Sequence, residues 1–81
     1  METNNVSVSK SIDELEKGLT LETCYIMSER TGVILAATRT YSGDTLKVMK
    51  AVITDIESGI GWELEEITGG TKYTTATLVL K

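Results

Sequence analysis

One structural element ends and a different one begins within three residues in the second half of the chain. An apolar pattern with helical spacing stops at Gly59-Ile60-Gly61, and a strand pattern starts at Trp62. Glycine ends helices because it adopts the left-handed conformation without strain. The strand then turns at Gly69-Gly70 and returns over residues 73–80, which predicts a hairpin. This tract specifies a fold, a helix followed by a hairpin, and by itself specifies no reaction.

The helix that ends there is predicted over residues 45–58, with Ser42 or Asp44 as its N-cap and Gly59 as its C-terminal glycine. Apolar residues at three- and four-residue steps predict the stripe that faces the core. The stripe comprises Leu46, Met49, Val52, Ile53, Ile56 and Ile60. The opposite, solvated side is predicted to carry Lys47, Lys50, Thr54 and Glu57.

Two further strands are predicted before this helix, over residues 19–28 and 33–40, because both segments are rich in β-branched and aromatic residues. A short loop that ends in Gly32 joins them. Pairing outward from Ser28 and Val33 places Glu22 opposite Arg39. An opposite-charge cross-strand pair favours this register.

In this register both faces of the first hairpin are apolar. One face carries Cys24, Ile26, Val33, Leu35 and Ala37, and the other carries Leu21, Tyr25, Met27, Ile34 and Ala36. A hairpin with one wet face alternates apolar and polar residues instead. The main helix is predicted to cover one face, and the other requires cover from an N-terminal helix or from a second molecule. Because an exposed apolar patch of this size marks an interface, we predict an interface at Tyr25, Met27, Ile34 and Ala36.

The N-terminal residues are polar, and we expect a frayed tail over residues 1–10, with a short edge strand through Val6 and Val8 as the alternative. Ser11 and Glu14 have the spacing of a capping box, which predicts a short helix over residues 12–17 that ends at Gly18. The domain organisation is therefore a flexible tail over residues 1–10 and a single domain over residues 11–81.

The predicted architecture is α+β, with the element order ββαββ. Two hairpins form a four-stranded, mainly antiparallel sheet, and one long helix lies across one face. The short N-terminal helix is added to this core.

Composition limits the classes of function. The chain has 81 residues, no histidine and a formal net charge of −4. The commonest proton shuttle and metal ligand is therefore missing, and the charge disfavours binding to a phosphate backbone. A single cysteine, Cys24, and no signal peptide predict a cytoplasmic protein. The longest apolar run is too short to span a membrane.

Several residues invite a functional interpretation, and each has a structural one that we favour. Gly59 and Gly61 follow a helix, whereas phosphate loops precede one, so they are interpreted as a helix cap. Cys24 lacks a histidine base and is interpreted as a buried structural thiol. Trp62 is interpreted as a core anchor and not as a stacking platform for a ligand. Arg30 and Arg39 are too isolated to form a nucleic-acid patch.

Acidic residues cluster on the strand after the helix. Glu63 and Glu65 are predicted to share a face, with Lys72 diagonal to Glu65. Together with Glu66 they suggest paired catalytic carboxylates, a metal site or a mimic of nucleic-acid phosphate. A divalent metal requires more converging oxygen ligands, so we favour a solvated strand face.

The C-terminal half resembles a known family. Residues 53–64, with Gly61, Trp62, Glu63 and Leu64 as the motif, resemble small bacterial and phage domains of unknown function. In those domains a short helix leads to a Gly-Trp-Glu-Leu strand, and a hairpin closes with an apolar-basic strand similar to residues 78–81. This chain has an additional glycine, Gly59, before the motif. The resemblance implies a fold and no activity.

The sequence predicts a non-enzymatic regulatory or protein-interaction module, without a cofactor, that binds protein and forms a homodimer through an apolar sheet face or a sheet edge. It predicts no direct contact with nucleic acid or membrane. One alternative is an acidic inhibitor that mimics nucleic acid through Glu63, Glu65, Glu66, Asp55 and Glu57. Another is a small-molecule sensor with a pocket between helix and sheet.

Overall fold

The structure of the protein, a computed structural model, describes residues 5–80. Its elements are β1 (Val6–Glu16), β2 (Leu19–Ser28), β3 (Ile34–Asp44), α1 (Thr45–Glu57), β4 (Glu63–Gly69) and β5 (Tyr73–Leu80). The strands form one antiparallel sheet in the order β1-β2-β3-β5-β4. α1 packs on one face, over β3 and β5. The α+β class agrees with the prediction.

The predicted four-stranded ββαββ architecture with an additional N-terminal helix is wrong, because the segment expected to form that helix belongs to a fifth strand. β1 includes Ser11 and Glu14, and it pairs with β2 along almost its whole length. Gly18, at φ +82°, lies in the tight turn between the two strands and does not end a helix. A six-residue helix is marginal in water, whereas β1 pairs with ten residues of β2. Long-range pairing therefore outweighs the local capping pattern.

The flexible tail expected over residues 1–10 lies only partly within the residues that the structure describes. Residues 1–4 lie outside the described residues. Val6 and Val8 lie in β1, where they alternate with serines that point to the opposite face. Both valines are exposed at the edge of the sheet.

α1 begins and ends where the sequence predicts. The Asp44 carboxylate accepts a hydrogen bond from the Lys47 backbone N–H at 3.3 Å, so Asp44 is the N-cap. Ser58 is the C-cap, and Gly59 follows it in the left-handed conformation at φ +79°. The predicted helix cap at Gly59 is confirmed.

The predicted core stripe of α1 is wrong for most of its members. The helix residues that are buried are Val48, Val52 and Asp55, with Ala51 packed beside them. Of the predicted stripe only Val52 is buried, while Met49 is half-buried. The others are exposed, and they are Leu46, Ile53, Ile56 and Ile60. The helix has two apolar sides, and the sequence pattern alone did not distinguish the inner one.

The core lies between α1 and the centre of the sheet. Val48, Ala76 and Leu78 are fully buried, and Val52 is nearly so. The other members of the core are Leu19, Ala37, Tyr41 and Trp62. With alternate residues on opposite faces of a strand, Ala37 and Tyr41 define the helix-covered face of β3.

The register of the first hairpin changes at a bulge. Met27 pairs with Ile34 as predicted, but Ile26 pairs with Ala36, which leaves Leu35 as the additional residue. Beyond this point the pairing is shifted by one residue from the prediction. Glu22 therefore faces Thr40, and the predicted cross-strand pair of Glu22 with Arg39 does not form.

The second hairpin also differs from its predicted register. Leu64 pairs with Leu78, and the register then shifts by one residue because Glu65 is bulged. Residues 70–72 form the connection, one residue longer than the two-residue turn expected at Gly69-Gly70. A two-residue turn at Gly69-Gly70 would place Tyr73 on the same face as Leu64. Leu64 instead pairs with Leu78, five residues after Tyr73, so Tyr73 and Leu64 lie on opposite faces.

Gly43 is required where β3 passes the turn between β1 and β2. A Cβ atom at this position would lie 2.0 Å from the Gly18 carbonyl oxygen, and φ is +141°. The same carbonyl accepts a hydrogen bond from the Asp44 N–H at 2.8 Å. Only glycine fits this approach of two backbones, which fixes the start of α1 against the turn.

The face of the sheet without a helix is rich in hydroxyl groups over its central strands. The hydroxyls of Thr40 and Thr77 lie 3.3 Å apart, and those of Ser42 and Thr75 lie 3.4 Å apart. Thr38 lies on the same face. This part of the face is polar, so it needs no apolar cover.

Candidate functional site

The ends of β1, β2 and β3 extend beyond α1 and form an elongated feature that we call the distal arm (residues 6–9, 24–28 and 33–37). The molecule measures 51 × 23 × 19 Å. In the arm, Met27 faces Ile34 across the β2–β3 pair, and Tyr25 faces Ala37. These pairs lie on the helix-covered face. Ala37 is 3% exposed and belongs to the core beneath α1, whereas Tyr25, Met27 and Ile34 lie beyond it. Tyr25 is 38% exposed, Met27 37% and Ile34 54%.

The structure brings together three of the four predicted interface residues. Tyr25, Met27 and Ile34 share one face, as predicted. That face is the one that α1 covers nearer the centre of the sheet, and not the face expected to lie away from the helix. Ala36 pairs with Ile26 and therefore lies on the other face of the arm. The bulge at Leu35 accounts for this difference, because an additional residue reverses the alternation of the strand.

No helix covers the apolar face of the arm within the described residues. The N-terminal segment, which was expected to form one, lies beside β2 in the sheet plane. There Ser9 faces Tyr25 and Ser7 faces Met27. Two small polar side chains border the apolar group without covering it.

The opposite face of the arm is also apolar. Val8 faces Ile26, and both are exposed. At the tip, an open depression of about 640 Å³ has Val6, Val33 and Leu35 among its lining residues. The distal arm therefore presents apolar side chains on both of its faces.

A polar cluster joins α1 to the centre of the sheet. The Asp55 carboxylate accepts a hydrogen bond from Arg39 Nη1 at 2.7 Å and another from the Tyr41 hydroxyl at 2.6 Å. The Arg39 guanidinium carbon lies 4.5 Å from the centroid of the Trp62 ring, a cation–π distance. Trp62 is buried, so its predicted role as a core anchor is confirmed.

The environment of the cluster raises the pKa of both Tyr41 and Arg39. Burial, together with the hydrogen bond to Asp55 and the charge of that carboxylate, raises the pKa of Tyr41 to about 12. Burial disfavours the charged form of Arg39, but the hydrogen bond and charge of Asp55 outweigh it and raise the pKa of Arg39. Tyr41 is therefore neutral and Arg39 charged at neutral pH. Neither is poised to exchange a proton, and the cluster is suited to holding α1 on the sheet.

Sequence reasoning missed this cluster. Asp55 was interpreted as part of an acidic surface and Arg39 as the partner of Glu22. One signal was present: Asp55 follows Val48 and Val52 at the seven- and three-residue steps of a helix face. A carboxylate on the buried side of a helix requires partners.

The acidic residues expected to form a phosphate mimic are divided between different surfaces. Glu63 and Glu66 face Val79 and Thr77, which places them on the helix-free face. Glu65 is the additional residue of the bulge and pairs with no residue of β5. Asp55 is buried and occupied by Arg39 and Tyr41.

The remaining residues considered as functional candidates, Cys24, Gly59 and Gly61, occupy positions explained by the fold. Cys24 is half-buried in the middle of β2, opposite Thr38. Gly59 and Gly61 connect α1 to β4 with positive φ values. Within residues 5–80 no group of three or more cysteine and acidic side chains is arranged to hold a metal ion.

The space between α1 and the sheet, where a sensor pocket was considered, is filled by Val48, Val52 and Leu78. A cleft of about 500 Å³ lies beside the helix instead, open to solvent near the β1–β2 turn. Lys47 and Thr54 border it on the helix side, and Leu15 borders it on β1.

In residues 5–80 no helix has the length and apolar character needed to cross a membrane. Comparison with protein-family models, with curated proteins and with solved structures gave no match to this chain. The resemblance of residues 53–64 to small bacterial and phage domains therefore stays a prediction.

Proposed function

We propose that this protein is a non-catalytic protein-interaction module that associates with itself, and that the distal arm supplies a contact surface. The observation that carries the proposal is the group formed by Tyr25, Met27 and Ile34. They share one face of the arm, and neither α1 nor β1 covers them. Exposed apolar groups of this kind are typical of interaction sites.

The chemistry of the arm favours protein over other ligands. Tyrosine and methionine are enriched at the centres of protein interfaces. The net charge of −4 disfavours nucleic acid. The arm face is an open sheet surface, whereas small-molecule sites are concave and enclose most of their ligand.

A second copy of the chain suits this surface because sheet faces pack on one another about 10 Å apart through apolar side chains. An identical arm supplies the same apolar group about a twofold axis. The single cysteine, Cys24, supports a cytoplasmic location, and the resemblance of residues 53–64 supports a bacterial or phage module, which would fit a regulatory role.

Sedimentation velocity of the wild type and of Ile34→Asp tests the proposal. A charge at the centre of the arm is expected to weaken self-association, because it would be buried unpaired in the contact. Thr68→Asp, which adds a charge to an exposed position of β4, is the matched control and is expected to behave as the wild type. A wild type that sediments as a monomer at every concentration contradicts the proposal.

A further inference from the structure

α1 carries a second uncovered apolar surface, separate from the distal arm. It consists of Leu46, Met49, Ile53, Ile56 and Ile60, which we call the outer stripe. Met49 is half-buried, and the other four are exposed, from 46% at Ile56 to 72% at Leu46. Four of these residues lie at or within the helix, and Ile60 lies just beyond its end.

The outer stripe faces the β4 edge of the sheet. The side of α1 that carries Lys47, Ala51 and Thr54 borders the cleft near the β1–β2 turn. The buried side of α1 carries Val48 and Val52. At 100° per residue, the cleft lies to one side of these two residues and the outer stripe lies to the other. Since β4 is the edge strand on that side, the stripe points over it.

The neighbouring strand extends this surface. Leu64 and Ile67 of β4 face Leu78 and Ala76, which lie in the core, so both belong to the helix-covered face. They are nevertheless 40% and 44% exposed, because α1 lies over β3 and β5. Apolar side chains thus run from the outer flank of the helix to the edge of the sheet.

The fold itself does not account for the outer stripe. Val48, Val52 and Asp55 already attach α1 to the sheet, and a helix with one buried side normally has a polar outer side. Large apolar residues at three- and four-residue steps form the surface that helices use to pack on one another.

We infer that the outer stripe is a docking site for α1 of a second copy of the chain, which packs antiparallel to it with Ile53 on the twofold axis. The spacing within the helix fits this arrangement, since Met49 lies four residues before Ile53 and Ile56 three residues after it. An antiparallel pair centred on Ile53 therefore places Met49 of each copy close to Ile56 of the other, and Leu46 of each copy near the C-terminal end of the other helix.

Charge selects the antiparallel direction. Lys50 and Glu57 are both exposed, three residues before and four residues after Ile53. They lie on the solvent-facing side of α1, between the outer stripe and the flank that borders the cleft, and Lys50 also lines that cleft. An antiparallel pair brings each Lys50 close to Glu57 of the other copy, on both sides of the axis. In a parallel pair the same flank of the two helices lies on opposite sides of the contact. Lys50 and Glu57 of one copy would then lie away from Glu57 and Lys50 of the other, and these pairs would not form.

This docking site goes beyond the proposed function, because it lies on α1 and β4 and not on the arm. Each of the two contacts is isologous, since the same surface is used by both copies. Two different isologous contacts on one chain link more than two copies, so the wild type is expected to form assemblies larger than a dimer.

The test uses the full-length chain with Ile34→Asp, which removes the arm contact and leaves α1 unchanged. Self-association that persists in this variant supports the docking site on α1. Complete loss of self-association in this variant overturns the docking site. Adding Ile53→Asp is expected to raise the dimer dissociation constant by about 30-fold or more, as for a central interface residue. Adding Thr54→Asp, on the other flank of α1, is the control and is expected to change it by less than about threefold.

Charge reversal tests the direction of the helices. In the same background, Lys50→Glu and Glu57→Lys are each expected to raise the dissociation constant, because each brings like charges together. The double variant is expected to restore it towards the starting value. Failure of the double variant to restore association overturns the antiparallel arrangement.

Cross-linking locates the axis and separates this inference from the proposed function. In a Cys24→Ser background, Ile53→Cys is expected to form an intermolecular disulfide rapidly under mild oxidation, since both copies carry this residue at the axis. Thr54→Cys is expected to cross-link slowly. If Ile34→Cys cross-links rapidly and Ile53→Cys does not, the arm contact is retained and the docking site is overturned. If Ile53→Cys cross-links rapidly and Ile34→Cys does not, the docking site is retained and the arm contact is contradicted.

Discussion

Arg39 Nη1 lies 2.7 Å from Oδ1 of Asp55, and this ion pair joins the third strand of the sheet to the helix that covers it. The Asp55 side chain is only 11% exposed and that of Arg39 30%. Solvent therefore screens the pair only in part. Since the Tyr41 hydroxyl binds the other carboxylate oxygen, the cluster positions α1 over the sheet and thereby determines which side of the helix stays uncovered.

Removing the carboxylate from this cluster is expected to destabilise the fold. Asp55→Ala leaves Arg39 and Tyr41 without their partner, and we expect a loss of about 2 to 4 kcal/mol in the free energy of unfolding. Urea denaturation followed by circular dichroism measures it. Glu65→Ala, at an exposed position of β4, is the control, and we expect a change below about 0.5 kcal/mol. Equal effects of the two substitutions would show that the cluster does not hold the helix.

The raised pKa of Tyr41 predicts a loss of stability at alkaline pH. Burial and the Asp55 carboxylate raise the pKa to about 12 from an ordinary value of 10.0. Between these values the unfolded chain has released the proton and the folded chain has kept it, so a rise in pH favours unfolding. The stabilisation is complete below pH 10 and is lost as the pH rises through 12.

Tyr41→Phe tests this pH dependence because it removes the titrating hydroxyl and keeps the ring. The wild type is expected to be more stable than Tyr41→Phe at pH 8, and the difference between them is expected to shrink as the pH rises above 10. The measurement is the free energy of unfolding at a series of pH values. A difference that stays constant to pH 12 would contradict the role given to the Asp55 carboxylate.

The core beneath α1 and the outer stripe of α1 predict different costs of truncation. Leu78→Ala removes a fully buried side chain beneath the helix, and we expect it to cost about 2 to 5 kcal/mol. Ile53 is 48% exposed, so Ile53→Ala is expected to cost less than about 1 kcal/mol in the monomer. Denaturation at low protein concentration measures both. A cost at Ile53 as large as that at Leu78 would place the outer stripe in the core.

Gly43 and Gly32 provide a matched pair for the close approach of β3 to the β1–β2 turn. Both have positive φ values, but a Cβ at Gly32 meets nothing within 4 Å, whereas at Gly43 it would overlap Gly18. Gly32→Ala is expected to cost about 1 kcal/mol through backbone strain. Gly43→Ala is expected to cost about 3 kcal/mol or more, because the turn must also move. Similar melting temperatures for the two variants would contradict this packing.

The sequence determined elements whose signals are local. Asp44 and Gly59 fix the ends of α1 through hydrogen bonds and backbone conformation within a few residues, so both ends were predictable. The grouping of Tyr25, Met27 and Ile34 was also predictable, because Tyr25 and Met27 alternate in one strand and the Met27–Ile34 pair lies next to the loop.

Features that depend on distant partners were not predictable in the same way. The capping pattern at Ser11 and Glu14 is local, and it was overridden by the pairing of β1 with β2. The bulge at Leu35 moved Ala36 to the other face, since one additional residue changes every pairing beyond it. In the second hairpin the turn itself differs from the expected one, so that Thr68 pairs with Thr75.

By itself, the sequence determined where α1 begins and ends, and it located the two strands after α1 to within two residues. Only the tertiary structure decided that Val48, Val52 and Asp55 face inwards while Ile53 faces outwards. The physical reason is that helical periodicity defines the sides of a helix but not which one is buried. That choice depends on partners such as Arg39 and Tyr41, which lie 16 and 14 residues from Asp55 in the chain and meet it only in the folded protein.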